Sequence, residues 1–203
     1  MQSQIPAGTC LVKISPRVIS IGNTIADAVF QAKDIATRRS DVLSELVLAS
    51  KRYILATAHR AENVDDRTRL GGMLEDMRLA GEDLRMEVLF PMHPRPQGGI
   101  RKFGLSFEEI RVIEPVGFMD FLQLESNAGL VLTDSGGVQE ETCILGVPCV
   151  TLRDNTERPE TIEAGANILA GADPNTIARC KRHGGQESME EPLRGRDCFQ
   201  VDP

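Results

Sequence analysis

Aromatic residues are scarce in this 203-residue sequence, which has no tryptophan, one tyrosine and seven phenylalanines. The core must therefore be built mainly from Ile, Leu, Val, Ala and Met. No apolar run is long enough to span a bilayer, and residues 1–6 lack the basic region followed by an apolar one that a secretory signal requires. With 41% hydrophobic and 26% charged residues, the composition suits one globular domain with a sizeable core.

Positive charge is also in short supply, because 23 Lys and Arg residues oppose 30 Asp and Glu residues and leave a formal net charge of −7. This balance argues against nucleic acid or an anionic membrane as a partner, but it is compatible with a local basic pocket for a nucleotide. The cysteines lack paired metal-ligand spacing and predict buried, reduced thiols in a cytoplasmic protein. They are Cys10, Cys143, Cys149, Cys180 and Cys198.

Short strand-type runs alternate with helical patterns about seven times along the chain. This alternation predicts an α/β fold with a doubly wound, mostly parallel, Rossmann-like sheet. Residues 16–182 are predicted to form this domain, which ends in a short helix from Asp173. Residues 1–15 are predicted to be a leader or the remnant of an interdomain segment, and residues 183–203 are predicted to be an irregular tail. The strand-type runs are residues 17–21, 53–57, 87–91, 110–114, 128–132, 148–152 and 167–170.

Two helix starts carry recognisable capping signals. Thr24 and Asp27 have the spacing of a capping box ahead of the first helix. Farther along, Asn155 or Thr156 is expected to cap a helix whose first turn contains Pro159. Both predictions place a polar side chain where the first backbone N–H groups of a helix need an acceptor.

The segment 132–141, Leu-Thr-Asp-Ser-Gly-Gly-Val-Gln-Glu-Glu, carries the clearest functional signal. It leads from a strand into a helix, so Ser135, Gly136 and Gly137 lie in a tight turn at a helix N-terminus. Such a turn presents free backbone N–H groups and the positive end of the helix dipole, and the glycines let a phosphate approach closely. A diphosphate is the predicted ligand. Alternatively, Asp134 and Ser135 only cap the helix and the glycines only form the turn.

Two further features adjoin this turn. Glu140 and Glu141 lie in the first part of the same helix, and either could accept two hydrogen bonds from a ribose diol or simply complement the helix dipole. The next strand leads into residues 153–160, Arg-Asp-Asn-Thr-Glu-Arg-Pro-Glu, a polar loop with two arginines. Two neighbouring strand-to-helix turns, one rich in glycine and one with two arginines, predict an anion site.

Two histidines follow predicted strands. His59 stands just past the run 53–57, at the carboxyl edge where ligands bind in doubly wound sheets. His93 follows the run 87–91 in proline-rich surroundings that also fit a plain turn. A lone histidine is more often structural than catalytic, so position alone assigns neither of them a role.

The sequence contains TDSGGVQEE at 133–141, LGVP at 145–148 and RDNTERPE at 153–160. Together, and with their internal spacing, these three segments resemble the non-hydrolysing UDP-N-acetylglucosamine 2-epimerases. Residues 57–63, Thr-Ala-His-Arg-Ala-Glu-Asn, resemble a further family motif, in which Ala61 stands where the family often has a second arginine. The resemblance covers roughly residues 16–182 and corresponds to the second, UDP-binding domain of enzymes in which two Rossmann-like domains form a glycosyltransferase-B-like architecture.

The resemblance implies specific roles around the phosphates and the ribose. His59 matches the active-site histidine of the family, and Arg158 is expected to hold the diphosphate. Glu141, rather than Glu140, matches the residue that binds the ribose diol. The remaining diphosphate contacts are expected from the turn residues Ser135, Gly136 and Gly137.

The resemblance also implies contacts for the base and a regulatory site. A residue matching Phe121 packs on the uracil ring, and the backbone near Val116 reads the base edge. By helical spacing alone, Phe121 would instead form a core stripe with its neighbours at 118 and 122. In bacterial members, residues matching Arg60 and His93 help to bind a second, regulatory substrate molecule.

The activity implied by the resemblance is the interconversion of UDP-N-acetylglucosamine and UDP-N-acetylmannosamine. UDP is eliminated to leave a glycal and is then added back on the other face of the sugar, without a metal or a nicotinamide cofactor. The acidic residues that act on the sugar belong to a first domain, and nothing in residues 16–182 stands for them. We therefore expect a split, truncated or frame-disrupted family member, or one subunit of a two-chain enzyme, whose partner is a separate first-domain chain or a second copy of the same chain.

Two other classes of function are compatible with the same residues. A nucleotide-sugar glycosyltransferase uses a similar glycine turn and a ribose-binding glutamate in its donor domain. A catalytically silent UDP-binding or partner module would need the binding residues alone. Product analysis separates the first from an epimerase, since only an epimerase makes the manno product without an acceptor.

Overall fold

The computed structural model describes residues 23–171, which form a six-stranded parallel sheet with helices. The predicted α/β fold is thus confirmed, while the strand predicted at residues 17–21 and the helix predicted from Asp173 lie outside the described residues. The strands are β1 (Tyr53–Thr57), β2 (Glu87–Pro91), β3 (Ile110–Ile113), β4 (Leu130–Thr133), β5 (Cys149–Thr151) and β6 (Asn167–Leu169).

Eight helices are present in the described part of the chain, and three of them, α2, α3 and α5, were not predicted from the sequence. The first helix, α1, packs against α6 and α7, whereas α4 packs against β2 and α5. The helices are α1 (Ile25–Arg39), α2 (Val42–Glu45), α3 (Ala61–Val64), α4 (Arg67–Leu84), α5 (Pro94–Phe103), α6 (Phe118–Asn127), α7 (Gly136–Leu145) and α8 (Pro159–Glu163).

The sheet order is β3-β2-β1-β4-β5-β6, so the direction in which strands are added reverses between β1 and β4. Both faces of the central strands are buried, as a parallel sheet with helical layers requires. In β1, Ile54 and Ala56 pack into the cluster that contains α4, and Tyr53 and Leu55 pack into the cluster that contains α6. This alternation fixes the register and sets the end of β1 beside the end of β4.

The helix starts agree only in part with the predicted caps. Ser135 caps α7, where its hydroxyl accepts a hydrogen bond of 3.5 Å from the Val138 amide. Thr24 does not cap α1, because its own φ of −69° and ψ of −10° are helical and its side chain makes no cap bond. Instead, the Asn23 side-chain oxygen accepts the Ile25 amide at 3.1 Å, and the predicted capping box is wrong.

The start of α8 also differs from its prediction. Pro159 does begin the helix, but the cap position is taken by Arg158 without a side-chain bond. Thr156 accepts the Arg158 amide at 3.0 Å, one residue before the helix, and Asn155 accepts a bond of 2.9 Å from the guanidinium of Arg153. Both side chains therefore shape the loop that precedes α8 and do not cap the helix.

Candidate functional site

The candidate site lies at the carboxyl edge of the sheet, where β1 and β4 end side by side. The hydroxyls of Thr57 and Thr133, the last residues of these strands, are 2.7 Å apart and share a hydrogen bond. The Thr133 hydroxyl also accepts the amide of Ser135 at 3.0 Å. In doubly wound sheets, ligands bind at the point where the strand order reverses, and this edge is that point.

Asp134 joins the two loops that leave this edge, a role that the sequence did not reveal. Its fully buried carboxylate accepts the backbone amides of His59 and Arg60 at 3.1 and 2.9 Å and the side-chain amide of Asn63 at 3.2 Å. It also lies 2.9 Å from Nδ1 of the His59 ring. The sequence signal for this role is a carboxylate directly after a buried strand, a position that also fits a helix cap.

The contact between His59 and Asp134 changes the acidity of both groups. The hydrogen bond to Asp134 raises the pKa of His59, against the opposing effects of partial burial and of Arg60. Burial alone would raise the pKa of Asp134, but the hydrogen bonds from His59 and Arg60 outweigh it and lower that pKa. The pair therefore favours a carboxylate beside a protonated imidazole.

The glycine turn and the arginine loop meet at the start of α7. A Cβ atom built on Gly136 would lie 3.7 Å from a carboxylate oxygen of Glu157 and 3.9 Å from Nε of Arg158. The amides of Gly136 and Gly137, at the start of α7, have no acceptor within the helix, whereas the Val138 amide is capped by Ser135. The two glycine amides and a half-exposed guanidinium lie close together, and the anion site at this position stays a prediction.

The two candidate glutamates of α7 have different surroundings. Glu140 is nearly fully buried, lies 3.1 Å from Nε of Arg158 and accepts a hydrogen bond of 2.8 Å from Asn23. Glu141 is half-buried and neighbours Glu125 of α6, whose carboxyl is completely buried. Burial and then Glu141 raise the pKa of Glu125 well above its ordinary value, and burial and Glu140 raise the pKa of Glu141.

A cavity of about 300 Å³ opens beside the carboxyl edge and brings five of the predicted site residues together. Phe118, at the start of α6, also lines it and is 55% exposed, so the predicted core stripe through this residue is wrong at that position. Of the other predicted residues, Gly136, Gly137 and Arg158 lie around the start of α7, Glu141 farther along it and Arg60 in the loop after β1. The predicted residues that line the cavity are His59, His93, Val116, Phe121 and Ser135.

Arg60 joins the loop after β1 to the arginine loop. Its guanidinium contacts the Glu157 carboxylate at 3.3 Å, and the buried Arg153 approaches the same carboxylate at 3.5 Å. Arg153 also lies 3.3 Å from Glu62 of α3. These contacts join the two loops.

Two kinds of feature are absent from residues 23–171, namely a cluster of metal-binding side chains and a membrane-spanning helix. In this part of the chain, no group of three His, Cys, Asp or Glu side chains could hold a metal ion, and no helix is long and apolar enough to cross a membrane. Cys143 and Cys149 are buried thiols outside any disulfide, as predicted for these two, and burial raises the pKa of Cys149 to about 12.

Comparison with known proteins supports the predicted resemblance. UDP-N-acetylglucosamine 2-epimerase from Methanocaldococcus jannaschii is 49% identical over 170 residues, which is 80% of this chain and 46% of that protein. A UDP-2,3-diacetamido-2,3-dideoxy-D-glucuronate 2-epimerase from Pseudomonas aeruginosa is 41% identical over 167 residues, covering 82% and 45%. The chain thus spans about half the length of the curated relatives it matches.

Solved structures with a similar fold include a member of the same group of enzymes. A crystal structure of the M. jannaschii epimerase in complex with UDP-GlcNAc and UDP has a TM-score of 0.77 and 42% identity, and the match covers 87% of this chain and 52% of that chain. A sucrose-phosphate synthase from Thermosynechococcus elongatus, at 16% identity and a TM-score of 0.54, shows a similar fold alone.

A family model described as UDP-N-acetylglucosamine 2-epimerase matches residues 11–197, a wider span than the predicted 16–182. The matched span includes both strand-end loops that meet at Asp134, the glycine turn and the arginine loop. The chain therefore belongs to the UDP-N-acetylglucosamine 2-epimerase family.

Proposed function

We propose that this chain is the UDP-binding half of a UDP-sugar 2-epimerase. The observation that carries this proposal is the meeting of the glycine turn of α7 with Arg158 and Glu157 at the carboxyl edge of β4. A helix N-terminus with free amides and an adjacent guanidinium is suited to a diphosphate. The relative from M. jannaschii was crystallised with UDP-GlcNAc and UDP, which supports a nucleotide diphosphate as the ligand.

Each part of the nucleotide has a proposed partner. The amides of the glycine turn and Arg158 bind the diphosphate, with His59 beside it, and Glu141 accepts the ribose diol. The cavity beside Phe121 and Val116 takes the uracil ring. Arg60 and His93 remain candidates for a regulatory site, the former paired with Glu157 and the latter on the cavity wall.

In the reaction, this half would receive the departing UDP. Cleavage of the C1–O bond leaves negative charge on the diphosphate, which preorganised amides, Arg158 and a protonated His59 would stabilise. Removal and return of the C2 proton need acids and bases positioned at the sugar. We assign those to a first domain, corresponding to the part of the relatives that this chain does not span, and the reaction to the cytoplasm.

The binding test is calorimetry with UDP on the wild-type chain and on Arg158→Ala. The variant should lose roughly 1.5–3 kcal/mol of binding free energy, the scale of a charge-assisted hydrogen bond. Arg78→Ala is the matched control, because Arg78 pairs with Glu75 and Glu82 on α4, away from the site. Equal UDP affinity in wild type and Arg158→Ala would refute the assignment.

The activity test is proton NMR in deuterated water with UDP-N-acetylglucosamine, watching for the manno product and for loss of the C2 proton signal. We expect no turnover by this chain alone and some turnover after a matching first domain is added. A parallel assay uses UDP-2,3-diacetamido-2,3-dideoxy-D-glucuronate, because one relative acts on that sugar. Sugar transfer to an acceptor, with no manno product, would favour the glycosyltransferase alternative, and turnover by the isolated chain would show that the acid–base residues are misplaced here.

A further inference from the structure

The ring of His59 has two different sides. Its Nδ1 atom lies 2.9 Å from the buried carboxylate of Asp134, while half of the side chain is exposed and lines the cavity beside the glycine turn. The nitrogen that does not face Asp134 is Nε2. The backbone amide of the same histidine donates to the same carboxylate at 3.1 Å, so both ends of the residue are held by one group.

Asp134 has little freedom to move away from this ring. Besides the histidine, its oxygens accept the Arg60 amide at 2.9 Å and the Asn63 side-chain amide at 3.2 Å. An ionised carboxylate only accepts hydrogen bonds, so the nitrogen facing it must carry a proton whether the imidazole is neutral or charged. The geometry thereby selects one tautomer of the neutral ring, with the proton on Nδ1.

We propose that Asp134 is a positioning residue for His59, fixing the ring so that Nε2 faces the cavity and, when protonated, donates a hydrogen bond to a phosphate oxygen of bound UDP. This inference rests on the proposed function, since it invokes the diphosphate as ligand. It adds a residue whose contribution passes entirely through its neighbour, because Asp134 is fully buried.

Three charged or titratable groups face the ring. Asp134 at the end of β4 favours the protonated form, Arg60 in the same loop opposes it, and His93 at the start of α5 lines the same cavity. The hydrogen bond to Asp134 outweighs the others and raises the pKa of His59. UDP affinity should consequently persist to higher pH than an ordinary histidine would permit, and should fall as pH rises through the His59 midpoint.

The test is long-range nitrogen–proton NMR of the histidine rings in the full 203-residue chain without nucleotide, on wild type and Asp134→Asn. The His59 signals are identified by their absence in His59→Gln. Asparagine keeps one oxygen for the Arg60 and Asn63 donors but turns an amide N–H₂ toward Nδ1. Because no nucleotide is present, the result is obtained whether or not the chain binds UDP.

In wild type, we expect the neutral His59 ring to carry its proton on Nδ1. In Asp134→Asn, we expect the proton to move to Nε2 and the titration midpoint to fall by roughly 1 to 3 pH units, the range for loss of an adjacent opposite charge. The pH at which UDP affinity declines should fall by the same amount. If Asp134→Asn does not fold, the wild-type spectrum decides alone, since a proton on Nε2 in the neutral wild-type ring would overturn the proposal. An unchanged tautomer and midpoint in a folded Asp134→Asn would overturn it equally.

Discussion

The Nε atom of Arg158 lies 3.1 Å from a carboxylate oxygen of Glu140, which also accepts a hydrogen bond of 2.8 Å from Asn23. Glu140 thus forms an ion pair with the arginine beside the glycine turn, without a hydrogen bond to Nε, and its carboxylate is already engaged by two residues. Its neighbour Glu141 lies about 100° farther around α7, and we propose Glu141 as the residue that binds the ribose. The contact distinguishes the surroundings of two consecutive glutamates in one motif.

Glu140→Gln should therefore weaken UDP binding through Arg158. A neutral side chain no longer holds the guanidinium in place beside the glycine turn, and we expect a loss of about 1 kcal/mol, because solvent around the partly exposed arginine screens the ion pair. Calorimetry on both single variants and on Glu140→Gln/Arg158→Ala measures the coupling. Fully additive losses would contradict an action of Glu140 through the arginine.

Gly136→Ala should separate stability from affinity. The nearest side-chain atoms lie 3.7 and 3.9 Å from a Cβ at this position, which is ordinary contact, so the chain should fold with unchanged or slightly higher thermal stability. UDP affinity should nevertheless fall, since the methyl group occupies space that a phosphate needs. Thermal denaturation and calorimetry on the same preparation test both parts, with Gly98→Ala as the control, because a Cβ there has open space around it. Normal UDP affinity in Gly136→Ala would place the diphosphate elsewhere.

Glu141→Gln should reduce the advantage of UDP over 2′,3′-dideoxy-UDP. A carboxylate accepts two hydrogen bonds from a ribose diol, whereas an amide offers one oxygen. We expect wild type and the control Glu163→Gln, an exposed position on α8, to prefer UDP clearly. Equally strong discrimination in Glu141→Gln would show that another residue binds the ribose.

Glu125→Gln should stabilise the fold at neutral and alkaline pH. In the unfolded chain the carboxyl ionises near its ordinary pKa, but in the fold the pKa is raised well above it by burial and by Glu141. The folded wild type therefore loses stability as pH rises above the unfolded pKa, at about 1.4 kcal/mol per pH unit until the folded pKa is passed.

Urea denaturation from pH 4 to pH 8.5 checks this prediction. The difference between Glu125→Gln and wild type should be smallest at pH 4 and grow with pH, while Glu114→Gln, at an exposed position, should show no such trend. A constant difference over this range would mean that the Glu125 pKa is close to its ordinary value.

Hydrophobic patterning predicted most of the fold, because the strands are buried on both faces and bounded by turn residues. All six strands between residues 53 and 169 lie within one or two residues of their predicted positions. Helix α5 was missed because Pro94 and two glycines indicate a turn. Proline is tolerated in a first helical turn, and a Cβ at Gly99 would lie 2.6 Å from the carbonyl oxygen of Val64, so this glycine serves close packing against α3.

The sequence predicted which side chains lie at the site better than it predicted the contacts between them. Strand-end positions indicated His59 and Ser135, which do line one cavity. The contact between His59 and Asp134 joins residues 75 positions apart, and it exists only because β1 and β4 are neighbours in the sheet. Sequence spacing within either loop carries no information about that adjacency. The contact between Glu140 and Arg158 was not predicted for the same reason.

The hydrogen bonds that converge on Asp134 have a consequence for the dynamics of the edge. The amide protons of His59 and Arg60 are held by a buried carboxylate, so they should exchange slowly with solvent although they lie in a surface loop. The amides of Gly136 and Gly137 precede the capped Val138 amide and lack an acceptor within α7, so they should exchange quickly, and the nucleotide that we propose as ligand should slow their exchange. We therefore expect the loop after β1 to be ordered before the proposed ligand binds. Most of the conformational entropy lost on binding should then come from the start of α7.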